Sequence, residues 1–158
     1  MGEVQILEEF ISALSHEDIG IRNRAAFDLL MQPTNETLSY IKPQAVQELM
    51  SALKHQDLFV RQAAALALLK IRDRQTIPAL ISALNDQYGN VVNPALEALA
   101  QIGTSDILEK LIENPEIDIY RPDIFLLARK LTVRYRNEGL PFIPVYPELV
   151  NREANTGA

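Results

Sequence analysis

Cysteine is absent from this chain, and so is tryptophan. Without thiols there can be no disulfide framework, thiolate zinc site or cysteine nucleophile, so redox and zinc-finger chemistry are excluded and a reducing compartment suits the chain. With only two histidines and six glycines, the chain offers no Gly-rich phosphate loop and no His-Glu-x-x-His run, and its acids are too scattered to nominate a general acid and base. No apolar run approaches the roughly 18 residues that cross a bilayer. Glu3, Glu8 and Glu9 stand where a signal peptide would carry Lys or Arg. The expectation is a cytoplasmic, non-catalytic protein without cofactor, metal or membrane. Basic residues are also in deficit, 15 against 21 acids for a net charge of -6. Phosphate-backbone affinity rests on clustered Lys and Arg, so nucleic acid is not the expected ligand.

What is present is a repeat. Ile11-Ser12-Ala13-Leu14 recurs as Met50-Ser51-Ala52-Leu53 and as Ile81-Ser82-Ala83-Leu84, at intervals of 39 and 31 residues. Each copy ends one apolar-faced helix, and a polar turn follows before a second helix begins. The counterpart segments that hold the second helices are Ile21 to Gln32, Val60 to Ile71 and Val91 to Ile102; the Ala-Leu-rich run from Val60 to Ile71 combines high helix propensity with small side chains that permit close packing. Period and composition predict outer helices over 3–14, 43–54, 76–84 and 106–113, and inner helices over 21–32, 59–72, 93–102 and 122–135. Asn93-Pro94 sets the late start of the third inner helix, because a proline deeper inside removes a hydrogen bond. Between Pro33 and Lys42 a loop with one turn of helix is expected. Gly103 is placed to close the helix at Ile102, while Pro141, Pro144 and Pro147 exclude a helix beyond Gly139 and mark a Pro-rich extended tail.

A helical pair with Asp in its turn, then Val-Arg, then Ala and Ala-Leu, resembles the short HEAT-like repeats named after the phycobilisome lyase family. The residues that carry the resemblance are Asp57-Leu58-Phe59-Val60-Arg61-Gln62-Ala63-Ala64-Ala65-Leu66-Ala67-Leu68, with a weaker copy in Asp18 to Arg22 and Ala25 to Leu29. The third repeat keeps Val91, Ala95, Ala98, Leu99, Ile102 and Gly103 but places Val92 where the Arg should be. The resemblance implies an all-α, right-handed α-solenoid of about four helical pairs over residues 1–138, followed by the tail 139–158. It also implies a scaffold, adaptor or assembly factor, or a relative of a phycobilin lyase subunit acting on phycobiliproteins.

Asp18 with Arg22, and Asp57 with Arg61, are four apart at the turn-to-helix junction, which suits an acid–base ladder within and between stacked repeats. His16 and His55 occupy equivalent turns, but one imidazole per repeat without a third ligand is thin support for a metal. In solenoids of this kind the inner helices line the concave face. There Phe27 and Leu66 stand where Glu97 sits in the third repeat, and Leu30 and Leu69 are large where related repeats carry Gly or Ala. These four either enlarge the core, receive a partner protein, or are covered by the chain's own Phe142 to Tyr146 segment. The candidate partner-binding set is Phe27, Leu30, Gln62, Leu66, Leu69 and Glu97. A secondary charged surface is expected at Arg129, Lys130, Arg134 and Arg136, and an unsealed terminal repeat would allow a homodimer.

Overall fold

The computed structural model describes residues 3–31, 43–103 and 106–137, apart from the side chains of 3, 4, 7, 30, 135 and 136. The chain divides into two compact units, Met1–Ile102 and Gly103–Ala158. In the first unit lie α1 (Glu3–Ala13), α2 (Ile19–Met31), α3 (Pro43–Ala52), α4 (Leu58–Ile71), a 3-10 turn (Arg74–Thr76), α5 (Ile77–Ala83) and α6 (Gly89–Ile102). The second holds α7 (Asp106–Glu113) and α8 (Pro122–Asn137). Every regular element among the described residues is therefore helical, and the pairs fall where the recurring Ser-Ala-Leu segments predict. The stretch expected between Pro33 and Lys42, and the tail from 139, lie outside the described residues.

Within the first unit, α2, α4 and α6 pack side by side as an inner layer with α4 in the middle, while α1 and α3 pack together outside it. Position in that layer explains the composition of α4. A helix covered on several sides must be apolar nearly all round and slim enough for its neighbours to approach. Val60, Ala63, Ala64, Ala65, Ala67 and Leu68 are accordingly all buried. Leu14, Leu53 and Leu84, the last residues of the three recurring segments, are buried as well, so the repeated motif is a repeated core position. In the second unit, Ile107, Leu108 and Leu111 of α7 and Ile124, Leu127, Ala128 and Leu131 of α8 supply the core.

The third inner helix begins earlier than expected. It runs from Gly89, with Pro94 at its sixth residue rather than at its start. The Val91 and Val92 N–H groups both donate to the Tyr88 carbonyl, at 2.9 and 3.1 Å, which closes one turn ahead of the proline. An interior proline costs about 3 kcal/mol, since it has no N–H for the carbonyl four residues back. Burial offsets that cost: the added turn seats Val91 and Val92 in the core, and Pro94 itself is buried. Val91 thereby takes the register of Val60.

Helix ends follow the turn chemistry. Asp57 caps α4 by accepting from the Phe59 N–H, and Asp73 does the same for the 3-10 turn, where Thr76, buried completely, donates its hydroxyl to the Asp73 carbonyl at 2.6 Å. Gly103 follows α6 at a φ of 59°, a conformation that only glycine adopts without strain. Arg72 adopts the same left-handed conformation after α4, at a φ of 56°, and carries a Cβ that opposes it. Arg72→Gly is expected to raise stability by about 0.5–1 kcal/mol in urea unfolding; a loss would show that the Arg72 side chain contributes more than its backbone strain costs.

Candidate functional site

Two features of the first unit stand out from the regular packing, the outward face of the inner helices and the junctions between successive turns. On the outward face, Phe27, Leu66 and Glu97 occupy one register, six residues after Ile21, Val60 and Val91. Phe27 is 56% exposed although Ala25, Ala26 and Leu29 of the same helix are buried. Gln62, Leu66 and Leu69 of α4 are half-buried. Glu97 is exposed and accepts a hydrogen bond from Gln101 at 3.0 Å. The Leu30 side chain lies outside the described residues. Of the residues expected here, then, the three inner helices α2, α4 and α6 carry one exposed aromatic, a half-buried aliphatic pair and an exposed carboxylate. Met31, also exposed, extends the apolar surface of α2 and was not singled out by register because it falls at the helix end.

The junctions rest on a repeated network. In the first turn His16 Nδ1 accepts from the Asp18 N–H at 3.0 Å, and in the second His55 Nδ1 accepts from the Asp57 N–H at 3.0 Å. Both histidines are turn acceptors, which accounts for their equivalent spacing; among the described residues no group of His, Cys, Asp or Glu could hold a metal ion. Arg22 Nη1 donates to the carbonyls of His16 and Glu17 at 2.7 and 2.8 Å, and Arg61 Nη1 donates to those of His55 and Gln56 at 2.8 Å each. Each arginine therefore ties down the turn that precedes it.

The ladder predicted between residues four apart takes a different form. Asp18 and Asp57 cap their own helices, accepting at Oδ1 from the Gly20 and Phe59 N–H groups at 2.7 and 2.9 Å. Arg61 reaches instead to the next repeat, where its Nε donates to Asp86 Oδ2 at 2.6 Å. Both partners are nearly buried, with side chains 12% and 10% exposed, and the Tyr88 ring lies 5.8 Å from the guanidinium carbon, within cation–π range. Asp86 also accepts from the Tyr88 N–H at 3.0 Å, so it performs the turn role of His16 and His55 while supplying a charge. Sequence reasoning passed over Asp86; the signal was its column in the repeat, Leu14-Ser15-His16, Leu53-Lys54-His55 and Leu84-Asn85-Asp86.

In the second unit, Arg129, Lys130 and Arg134 are exposed on α8, and the Arg136 side chain lies outside the described residues. The Arg134 guanidinium lies against Gly103, where a Cβ would collide with it. Arg121 donates to Asp123 at 2.7 Å. Burial pushes the Asp123 carboxyl up, but the Arg121 hydrogen bond, the Ile124 N–H and the guanidinium charge outweigh it and hold the group below its ordinary value.

The inter-repeat pair generates a stability test. Arg61→Ala leaves Asp86 nearly buried without its counter-charge, and urea unfolding should lose about 3 kcal/mol. Asp86→Asn added to Arg61→Ala should cost much less than the two single losses summed. Arg22→Ala, which removes only the turn bonds, should cost about 1 kcal/mol; equal losses at the two arginines would contradict the asymmetry.

The family of HEAT repeats matches residues 7–100 and again residues 60–123. Among curated proteins there is no match to this chain. Solved structures do match it, 23 chains in number. The structure of human deoxyhypusine hydroxylase in complex with glycerol is similar over 92% of this chain and 49% of its own, at 24% identity and a TM-score of 0.57. An engineered protein is similar over 85% of this chain and 64% of its own, at 20% identity and a TM-score of 0.58. The complex of CpcE and CpcF of phycocyanin lyase from Nostoc sp. PCC7120 aligns over 92% and 69%, at 23% identity and a TM-score of 0.42. The chain thus spans about half the length of the hydroxylase, and identities this low speak to fold alone. With the family match running through all the helical pairs of the first unit and into the second, the chain belongs to the HEAT repeats.

Proposed function

We propose that this HEAT-repeat scaffold is a non-catalytic adaptor or assembly factor that grips a partner protein on the outward face of its inner helices. The observation that carries the reading is Phe27, more than half exposed on a helix that buries Ala25, Ala26 and Leu29 and leaves Ile19, Ile21 and Met31 exposed beside it. Covering a phenylalanine contributes about 1.5–3 kcal/mol, and aromatic side chains are enriched at the centre of interfaces. Leu66 and Leu69 continue the apolar strip onto α4, Gln62 offers an amide beside them, and Glu97 on α6 supplies a negative charge. Such a surface fits a helix or extended segment that presents one large apolar side chain toward Phe27 and a Lys or Arg toward Glu97. The basic side chains of α8 form a secondary surface for an acidic region of the same partner. Lack of cysteine suits action in the cytoplasm, and the described helices include none long and apolar enough to cross a membrane.

Affinity capture from a lysate of the source cells tests the reading, comparing the wild type with the Phe27→Glu, Leu66→Glu double variant. Phe27→Glu alone should change stability by less than about 0.5 kcal/mol, as expected for an exposed position, so circular dichroism reports whether loss of fold intervenes. Loss of a specific protein from a folded variant supports the assignment; capture of the same proteins by both forms contradicts it.

A further inference from the structure

The first two junctions hold the same guanidinium in the same setting but face it with different residues. Arg22 and Arg61 each fix Nη1 on two carbonyls of their own turn. At Arg61 the remaining edge meets Asp86, with Nε at 2.6 Å from Oδ2 and Nη2 at 3.5 Å from Oδ1. At Arg22 the residue in the Asp86 column is His55, whose Nδ1 is taken by the Asp57 N–H. A neutral imidazole with Nδ1 accepting carries its proton on Nε2, so His55 offers a donor where Asp86 offers an acceptor. Arg22 Nε is correspondingly buried without a hydrogen-bond partner. Space matches chemistry: the cleft lined by Arg22, Ser51, Lys54, His55 and Asp57 measures about 720 Å³, against about 300 Å³ at the Arg61 junction.

We propose that the first junction is a binding site for a carboxylate, delivered by an acidic side chain or by the terminal carboxylate of a peptide. Two oxygens in one plane suit the Nε–Nη2 edge as the Asp86 carboxylate suits it at Arg61, once the side chains that cover Arg22 Nε give way to the ligand. Lys54 adds a second positive charge, and the Ser51 hydroxyl and the His55 Nε2–H add donors. Asp57 lines the same cleft; its negative charge penalises a dianion such as phosphate more than a singly charged carboxylate. Because Arg22 is held in advance by its turn, little freedom is lost on binding. The site lies at the turn end of the repeats and does not depend on Phe27 or on the function proposed for the inner helices.

The arginine Nε–Hε resonances of the whole chain, followed by ¹⁵N-edited NMR, test the proposal with N-acetylaspartic acid amide, N-acetylalanine and inorganic phosphate as probes. A saturable shift of the Arg22 Hε with either carboxylate, while the Arg61 Hε stays put, is the expected result; which carboxylate binds more tightly identifies a side-chain or a chain-end source. His55→Asp installs the residue that the next junction already has, so its Arg22 Hε should begin near the bound position and carboxylate affinity should fall about tenfold or more. Absence of a saturable shift, a response to phosphate alone, or unchanged affinity in His55→Asp would overturn the proposal. So would an Arg22 Hε that already sits at the paired position in the free chain and moves away in Asp57→Asn, since Asp57 would then fill the site. The wild-type titration stands without any variant.

Discussion

The Arg61 guanidinium is the point on which the cohesion of the first unit turns. One edge is bonded to the carbonyls of the turn that precedes it, and the other to a carboxylate in the turn that follows. A helical repeat buries its apolar face only by stacking on a neighbour, and apolar stacking is tolerant of small slides and rotations. A nearly buried, directional ion pair is not tolerant, because removing its geometry strands two charges in a poorly solvated place. Hydrophobic burial therefore supplies the energy that holds α2, α4 and α6 in a layer, while Arg61 and Asp86 set the register at which α4 and α6 meet.

From that register follows what the layer shows to solvent. With Val60 and Val91 fully buried at the start of α4 and α6, Leu66 and Glu97 come to lie on the other side of their helices. On α2 the equivalent position, Phe27, is outward as well, although Ile21, which stands where Val60 and Val91 are buried, is itself exposed. The first junction lacks the ion pair, since histidine replaces aspartate in the one column that matters, and the guanidinium left over is both a weakness in cohesion and an opening for a ligand. Scaffold and site are thus two consequences of a single repeated arginine.

Helix locations were legible in the sequence because the cues were local and repeated: the Ser-Ala-Leu segments, the capping Asp57, the Ala-rich run of α4 and Gly103 after α6. Pro94 misled because its local cost is real, and only the burial of Val91 and Val92 in the layer outweighs it. The arginine ladder was visible as a pattern but not as a pairing. Asp57 is nearest to Arg61 in sequence, yet its carboxylate is committed to the helix cap, and the true partner is 25 residues away. The equivalent spacing of His16 and His55 was visible without its reason, since the acceptor role of Nδ1 belongs to turn geometry. Exposure of Phe27 was undecidable from spacing alone, since a modest rotation of α2 would have turned it into the core.

Cohesion is greater across the junction that Arg61 and Asp86 lock than across the one that Arg22 leaves open. Native-state hydrogen exchange at low urea measures this most directly, helix by helix. Amides of α4 and α6 should exchange together in the most stable unit, and those of α1 and α2 should exchange through an opening that is easier by about 1 kcal/mol or more. Equal protection of α2, α4 and α6 would contradict the claim and leave apolar packing as the sole determinant of how the repeats hold together.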